Sequence, residues 1–99
     1  MEQAVPAVRV VDNPARRRYE AYVGDAPAGF VTYVARPGSL VLVHTEIDAA
    51  VEGHGVGSRL AAGVLDDIRA RGLRVVPRCP FIAAFIGRHP EYADLVEAP

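Results

Sequence analysis

The stretch Leu40–Pro77, LVLVHTEIDAAVEGHGVGSRLAAGVLDDIRARGLRVVP, changes its hydrophobic period twice. Leu40–Ile47 is nearly all apolar until His44, Thr45 and Glu46, which reads as a strand. From Val56 onward the apolar residues Val56, Leu60, Val64 and Ile68 recur every fourth position, with Ala61 and Leu65 beside them. That is one stripe of an amphipathic helix. Arg59, Asp66, Asp67 and Arg71 fall on its polar side, and Asp67 and Arg71 have the i,i+4 spacing of a helical ion pair. Gly72 suits a helix C-cap, and Leu73–Pro77 reads as a short buried strand. Strand, loop, helix, strand is a crossover unit. Such units are right-handed and set their two strands parallel.

The chain before this unit has a period of two. Ala7–Asp12 is a short Val-rich run, and Asn13-Pro14 marks a turn. Arg17, Tyr19, Ala21 and Val23 then alternate with Arg16, Arg18, Glu20 and Tyr22, as in a half-buried strand. Gly24-Asp25-Ala26-Pro27 interrupts, and Phe30–Ala35 resumes until Pro37-Gly38. Short breaks between such runs favour an antiparallel meander. After the unit, Pro80 can open a second helix, because its missing N–H costs nothing at the first position. Phe81, Ile82, Phe85 and Ile86 make that helix apolar nearly all round, and Gly87 and Pro90 end it. The expected fold is α/β: a four-strand antiparallel meander, a glycine loop, a helix, a parallel fifth strand and a short C-terminal helix.

Ninety-nine residues, 51% hydrophobic and 23% charged, suit one domain with one core. Eleven basic residues against twelve acidic give a net charge of −1, which argues against a nucleic-acid or membrane-surface binder. No run reaches the ~18 apolar residues of a membrane span, and MEQAVPAVRVVD lacks the pattern of a secretory leader. The single cysteine, Cys79, cannot form an internal disulfide and fits a cytoplasmic setting. All eleven basic residues are Arg, a bias that fits a GC-rich bacterial genome. The absence of Lys excludes Schiff-base chemistry and a P-loop lysine. Arg16-Arg17-Arg18 reads as a charged strand edge that discourages aggregation.

Glu52-Gly53-His54-Gly55-Val56-Gly57-Ser58 opens directly into the helix. The glycines suit either a tight turn or a phosphate cradle at the helix N-terminus, where free N–H groups bind anions. A Walker loop requires Lys after its last Gly, where this chain has Ser58, and the dinucleotide fingerprint GxGxxG requires Gly at Ser58.

The loop resembles the acetyl-CoA pyrophosphate loop of the GNAT (Gcn-type N-acetyltransferase) superfamily, with its pattern Q/R-x-x-G-x-G/A. His44-Thr45-Glu46, GVGSRL, Pro77-Arg78-Cys79-Pro80-Phe81 and Arg88-His89-Pro90-Glu91-Tyr92 together look like its short single-domain branch, the N-acetyltransferase domain-containing protein 1-like group. The chain departs from the pattern at Glu52, which is expected to point away or cap the loop. The resemblance implies transfer of an acetyl group from acetyl-CoA to an unidentified amine, with no metal. It implies that Gly53, His54, Gly55, Val56, Gly57 and Ser58 cradle the pyrophosphate, with Arg59 as a helper. It also implies that the backbone of Thr45, Glu46 and Ile47 runs alongside pantetheine, with Phe81 and Phe85 nearby.

Two residues carry the candidate chemistry. Cys79 precedes Pro80 at the expected N-cap of the second helix, where the helix end and Arg78 favour a thiolate over the reference value of ~8.5. His44 lies near the carboxyl end of a strand parallel to the one before Cys79, the rim where sites gather in open sheets. The resemblance implies the same pair. Either His44 serves as base and Cys79 as acid in direct transfer, or His44 activates Cys79 to take the acetyl group first. Only Asn13-Pro14-Ala15 joins the first two strands, where larger members carry two helices that wall the acceptor groove. A non-catalytic acyl-CoA-binding or protein-interaction module with the same fold is the alternative. The sequence leaves the oligomeric state open.

Overall fold

The computed structural model describes residues 7–97, so Met1–Pro6 of the leader reading lie outside the described residues. Strands β1 (Val8–Asn13), β2 (Arg18–Val23), β3 (Ala26–Arg36) and β4 (Ser39–Ile47) pair antiparallel in chain order. Helix α1 (Val56–Ala70) crosses over to β5 (Arg74–Pro77), which pairs parallel with β4. Helix α2 (Pro80–Arg88) and a 3-10 segment over Pro90–Leu95 complete the chain. The sheet order is β1-β2-β3-β4-β5, as the alternation and the crossover require.

One face of the sheet is covered. Leu60, Val64, Leu65 and Ile68 of α1 and Ile82 and Phe85 of α2 share a single buried cluster with Tyr19, Val31, Leu42 and Val75. The C-terminal half of α1 is tied to the sheet by a polar lattice. Tyr19 donates to Asp67 (2.6 Å) and Tyr33 to Asp12 (2.6 Å), while Arg71 bridges both carboxylates at 2.9 and 3.1 Å. Burial and the Asp12 carboxylate push the Tyr33 hydroxyl up to about 12. Tyr92, which donates to Asp66 at 2.8 Å, is raised to about 12 in the same way. The opposite face bears Arg18, Glu20, Tyr22, Phe30, His44 and Glu46, none of which packs against the buried cluster.

Several local expectations need correction. Strand β3 begins at Ala26, because Gly24-Asp25 alone makes the hairpin turn and Val23 pairs with Ala26. Pro27 is accommodated beside a register shift at Ala21/Tyr22, where a missing N–H is tolerated. The Arg16–Arg18 run is not a strand edge. Arg16 ends a 3-10 turn, Arg17 takes a left-handed conformation (φ 54°), and only Arg18 enters β2, an interior strand. Helix α2 runs through Gly87 to Arg88, and its outer residues Ala83 and Ala84 are exposed, so its apolar face is one-sided.

Candidate functional site

Strands β4 and β5 part after the Leu42–Pro77 pair. Beyond it, β4 continues alone to Ile47, while the other chain turns through Arg78 to Cys79. The Cys79 amide donates to the Leu42 carbonyl at 2.9 Å, which fixes the cysteine at the fork. Cys79 is the N-cap residue of α2, and its Sγ lies 3.1 Å from Thr45 Oγ1. The thiol is buried, at 3% exposure.

His44 is not beside Cys79. Thr32 pairs with His44 but Tyr33 with Leu42, so Val43 is an extra residue in β4. Such a bulge reverses the alternation downstream. Leu40 and Leu42 point into the core, Val43 and His44 are both exposed, and Thr45 returns to the cysteine's side. His44 therefore stands on the uncovered face, where its Nε2 lies 3.0 Å from Glu46 Oε2 and its ring meets Phe30 edge-on at 6.4 Å. The unbroken apolar run LVLV conceals this switch in the sequence. The structure brings together Cys79 with Thr45 and, across the strand, His44 with Glu46.

Asp48 caps a 3-10 turn over Ala49–Val51 by accepting from the Ala50 amide at 2.9 Å, and Glu52 ends that turn. Gly53 (φ 85°) and Gly55 (φ 80°) then occupy the left-handed region, with open space where side chains would stand. Gly55 is the N-cap of α1, no side chain caps the helix, and its first turn has no acidic residue. The first amides of α1 thus lack intrahelical acceptors and carry the positive end of the helix dipole. Gly57 has a packing reason of its own, since a Cβ there would lie 2.9 Å from Phe81 Cζ. The loop, Ile47 and Phe81 line a cavity of about 260 Å³. Glu52 is the one charged residue in that lining, so it ends the preceding turn but does not leave the cavity. His54 and Arg59 do not line it. Arg59 borders a groove between α1 and β1, with Val8 and Val10. Phe85 is also remote from the loop cavity and stacks on His89 at 3.9 Å.

A second cavity, of about 460 Å³, lies on the uncovered face between Arg16 and Asp48. Sequence reasoning named no pocket here, although Arg18, Glu20 and Tyr22 fall on one face of β2 by their spacing alone. Glu20 is 7% exposed and accepts from Arg18 Nε (2.8 Å), Tyr22 (2.9 Å) and Asn13 (3.2 Å). The Arg18 hydrogen bond chiefly holds its carboxyl below the usual carboxylate range.

The family description GCN5-related N-acetyl-transferase matches residues 18–95. Among solved structures, the NMR structure of a GCN5-like protein from Staphylococcus aureus superposes with a TM-score of 0.65 at 17% identity. That match covers 98% of this chain and 93% of the other and speaks for the fold. Comparison with the curated proteins gives no match.

Proposed function

The chain belongs to the GCN5-related N-acetyltransferase family, and on that premise we propose that it transfers an acetyl group from acetyl-CoA to a small amine. The observation that carries this reading is the fork between β4 and β5, with Cys79 and Thr45 on one side and His44 and Glu46 on the other. The amides from Gly53 to Ser58 would hold the pyrophosphate. Backbone groups of Thr45, Glu46 and Ile47, left without a β5 partner, would hold pantetheine as an added strand. The motifs around Cys79 and His89 support the short, single-domain N-acetyltransferase domain-containing protein 1-like group. A free thiol in the site suits a reducing, cytoplasmic compartment.

Acetyl-CoA supplies an activated acyl carbon. In the proposed step the amine nitrogen bonds to that carbon, the carbon–sulfur bond breaks, and the amine proton passes to His44. Glu46 holds the imidazole in place. The departing CoA thiolate receives a proton from the Cys79–Thr45 pair. Direct transfer is favoured over an acetyl-Cys79 intermediate, because His44 and Cys79 lie on opposite faces and no base touches the thiol.

Acetyl-CoA should raise the melting temperature, and CoA should be released once an acceptor amine is present. His44→Ala should lower kcat roughly a hundredfold or more, the usual worth of a positioned base, while keeping the thermal shift. An intact-mass spectrum after incubation with acetyl-CoA should lack an acetyl adduct. An adduct lost in Cys79→Ala would replace direct transfer by the covalent route. Unchanged turnover in both variants would reject the assignment of these residues. Glu52 in the lining of the loop cavity favours one other reading, a non-catalytic acyl-CoA-binding module. A thermal shift with acetyl-CoA but no CoA release with any amine would support it.

A further inference from the structure

The cavity on the uncovered face is chemically two-ended. Arg16 and Arg18 stand at one end, and the carboxylates Glu46 and Asp48 at the other. Between them the lining mixes Phe30, Ala21 and Gly29 with Glu20 and Tyr22. Strand register sets the order: Glu20 pairs with Phe30 and Phe30 with Glu46, while Arg18 pairs with Thr32 and Thr32 with His44. These are two adjacent rows across three strands, so the outer members of each row are separated by roughly 10 Å of backbone.

Arg18 is held firmly. Its Nε is committed to Glu20 at 2.8 Å, and its guanidinium lies 4.5 Å from the centroid of the Phe30 ring. Among the described residues its two Nη groups have no hydrogen-bond partner. Glu20 is already served by three donors, so it is poorly suited to receive a fourth. A half-buried guanidinium with a free planar edge matches a carboxylate geometrically. The His44 ring also meets Phe30, edge-on at 6.4 Å between centroids, and is itself against Glu46. A single aromatic ring thus contacts both the carboxylate-binding guanidinium and the candidate base. After one hydrogen bond of about 2.8 Å at each end, only a few covalent bonds fit between the two groups of a ligand.

We propose that this cavity is the acceptor site and that it selects a small free amino acid, with its carboxylate on the Nη edge of Arg18 and its amine against Glu46, the cavity residue that His44 contacts. The inference rests on the acetyltransferase reading for the reaction and stands on the cavity alone for the binding. Arg18 is a specificity-determining residue: it fixes the carboxylate and so delivers the amine to His44. The near-neutral charge of the whole chain gives no hint of this, because the pocket's cations and anions cancel in the sum.

Three probes of similar size separate the possibilities: β-alanine, n-propylamine and propionate. Binding to the chain without acetyl-CoA is read from backbone amide NMR shifts in β2, β3 and β4. β-Alanine should perturb Glu20, Phe30 and Glu46 at a concentration at least tenfold lower than either single-ended probe. In the acetyl-transfer assay its kcat/KM should exceed that of n-propylamine at least tenfold, mostly through KM. Arg18→Met alone would leave the buried Glu20 without its cationic partner, so the double variant Arg18→Met/Glu20→Gln removes both charges together. In it β-alanine should lose its advantage over n-propylamine in binding and in KM. Equal binding of β-alanine and n-propylamine by the unaltered chain, no perturbation by millimolar β-alanine, or an advantage that survives in the double variant would overturn the proposal. Selective β-alanine binding without acetyl transfer would uphold the pocket and reject the reaction. Equal acetylation of both amines, with unselective binding, would uphold the reaction and reject the pocket.

Discussion

Gly63 sits in the middle of α1, where glycine costs about 1 kcal/mol relative to alanine. Replacing it with alanine should therefore stabilise an unobstructed helix. Here the new Cβ would lie 2.7 Å from Val10 Cγ2, 2.9 Å from its Cβ and 3.3 Å from Cγ1. Carbon atoms pack best at about 3.5–4.0 Å. Val10 cannot swing aside cheaply, because a β-branched side chain is stiff at χ1 and its backbone is pinned in β1 by pairing with Ala21. Overpacking of this kind costs about 1–3 kcal/mol. The clash outweighs the gain in propensity, so Gly63→Ala should destabilise the chain by about 1 kcal/mol, a fall in Tm of roughly 4–8 °C for a domain of this size. In a Val10→Gly background every obstructing atom, the Cβ included, is gone, and the same substitution should stabilise by up to about 1 kcal/mol. The two changes should thus couple by about 2 kcal/mol, well above the error of a double-mutant cycle. Urea unfolding followed by circular dichroism measures all four corners. A stabilising Gly63→Ala in the unaltered chain, or the same effect in both backgrounds, would refute this account of how α1 seats on β1.

Other outcomes follow from the polar contacts. The raised Tyr33 and Tyr92 hydroxyls favour the protonated folded chain. Their contribution to stability is complete below the ordinary value of 10 and is lost as pH rises from about 10 to about 12, so Tyr33→Phe should flatten the alkaline limb of a pH–stability curve. Tyr19→Phe removes the 2.6 Å bond to Asp67 and should cost roughly 1.5–3 kcal/mol in urea unfolding, as for hydrogen bonds to charged groups. Glu20 is shifted the other way, so its stabilisation is present above the usual carboxylate range and lost as pH falls through its lowered value. Glu20→Gln should remove that acid-side step and leave the alkaline limb unchanged.

Much of the fold was legible because its signals are local. The fourfold recurrence from Val56 to Ile68 has one satisfying structure, an amphipathic helix against a sheet. Pro80 after Cys79 and Gly72 after Ala70 punctuate the helices at or near the positions observed. The glycine loop was legible for the same reason, since a loop before a helical stripe necessarily presents free amides. Arg59 shows where such reading stops: its position in the first turn is local, but its direction toward Val8 and Val10 depends on how α1 lies across β1.

Local patterning placed the two helices, most of each strand, the parallel pairing of the last two strands and Cys79 at a helix N-terminus. Those properties arise from periodicity, capping chemistry and chain handedness, each spanning few residues. Which side chains meet was settled by packing between distant segments. One extra residue at Val43 turned His44 to the face away from Cys79 and gave the cysteine Thr45 as its partner. Register across three strands set Arg18, Phe30 and Glu46 around one cavity, with His44 against Glu46. A bulge and a register are properties of pairing between strands distant in sequence, so their energy is not written in either strand alone.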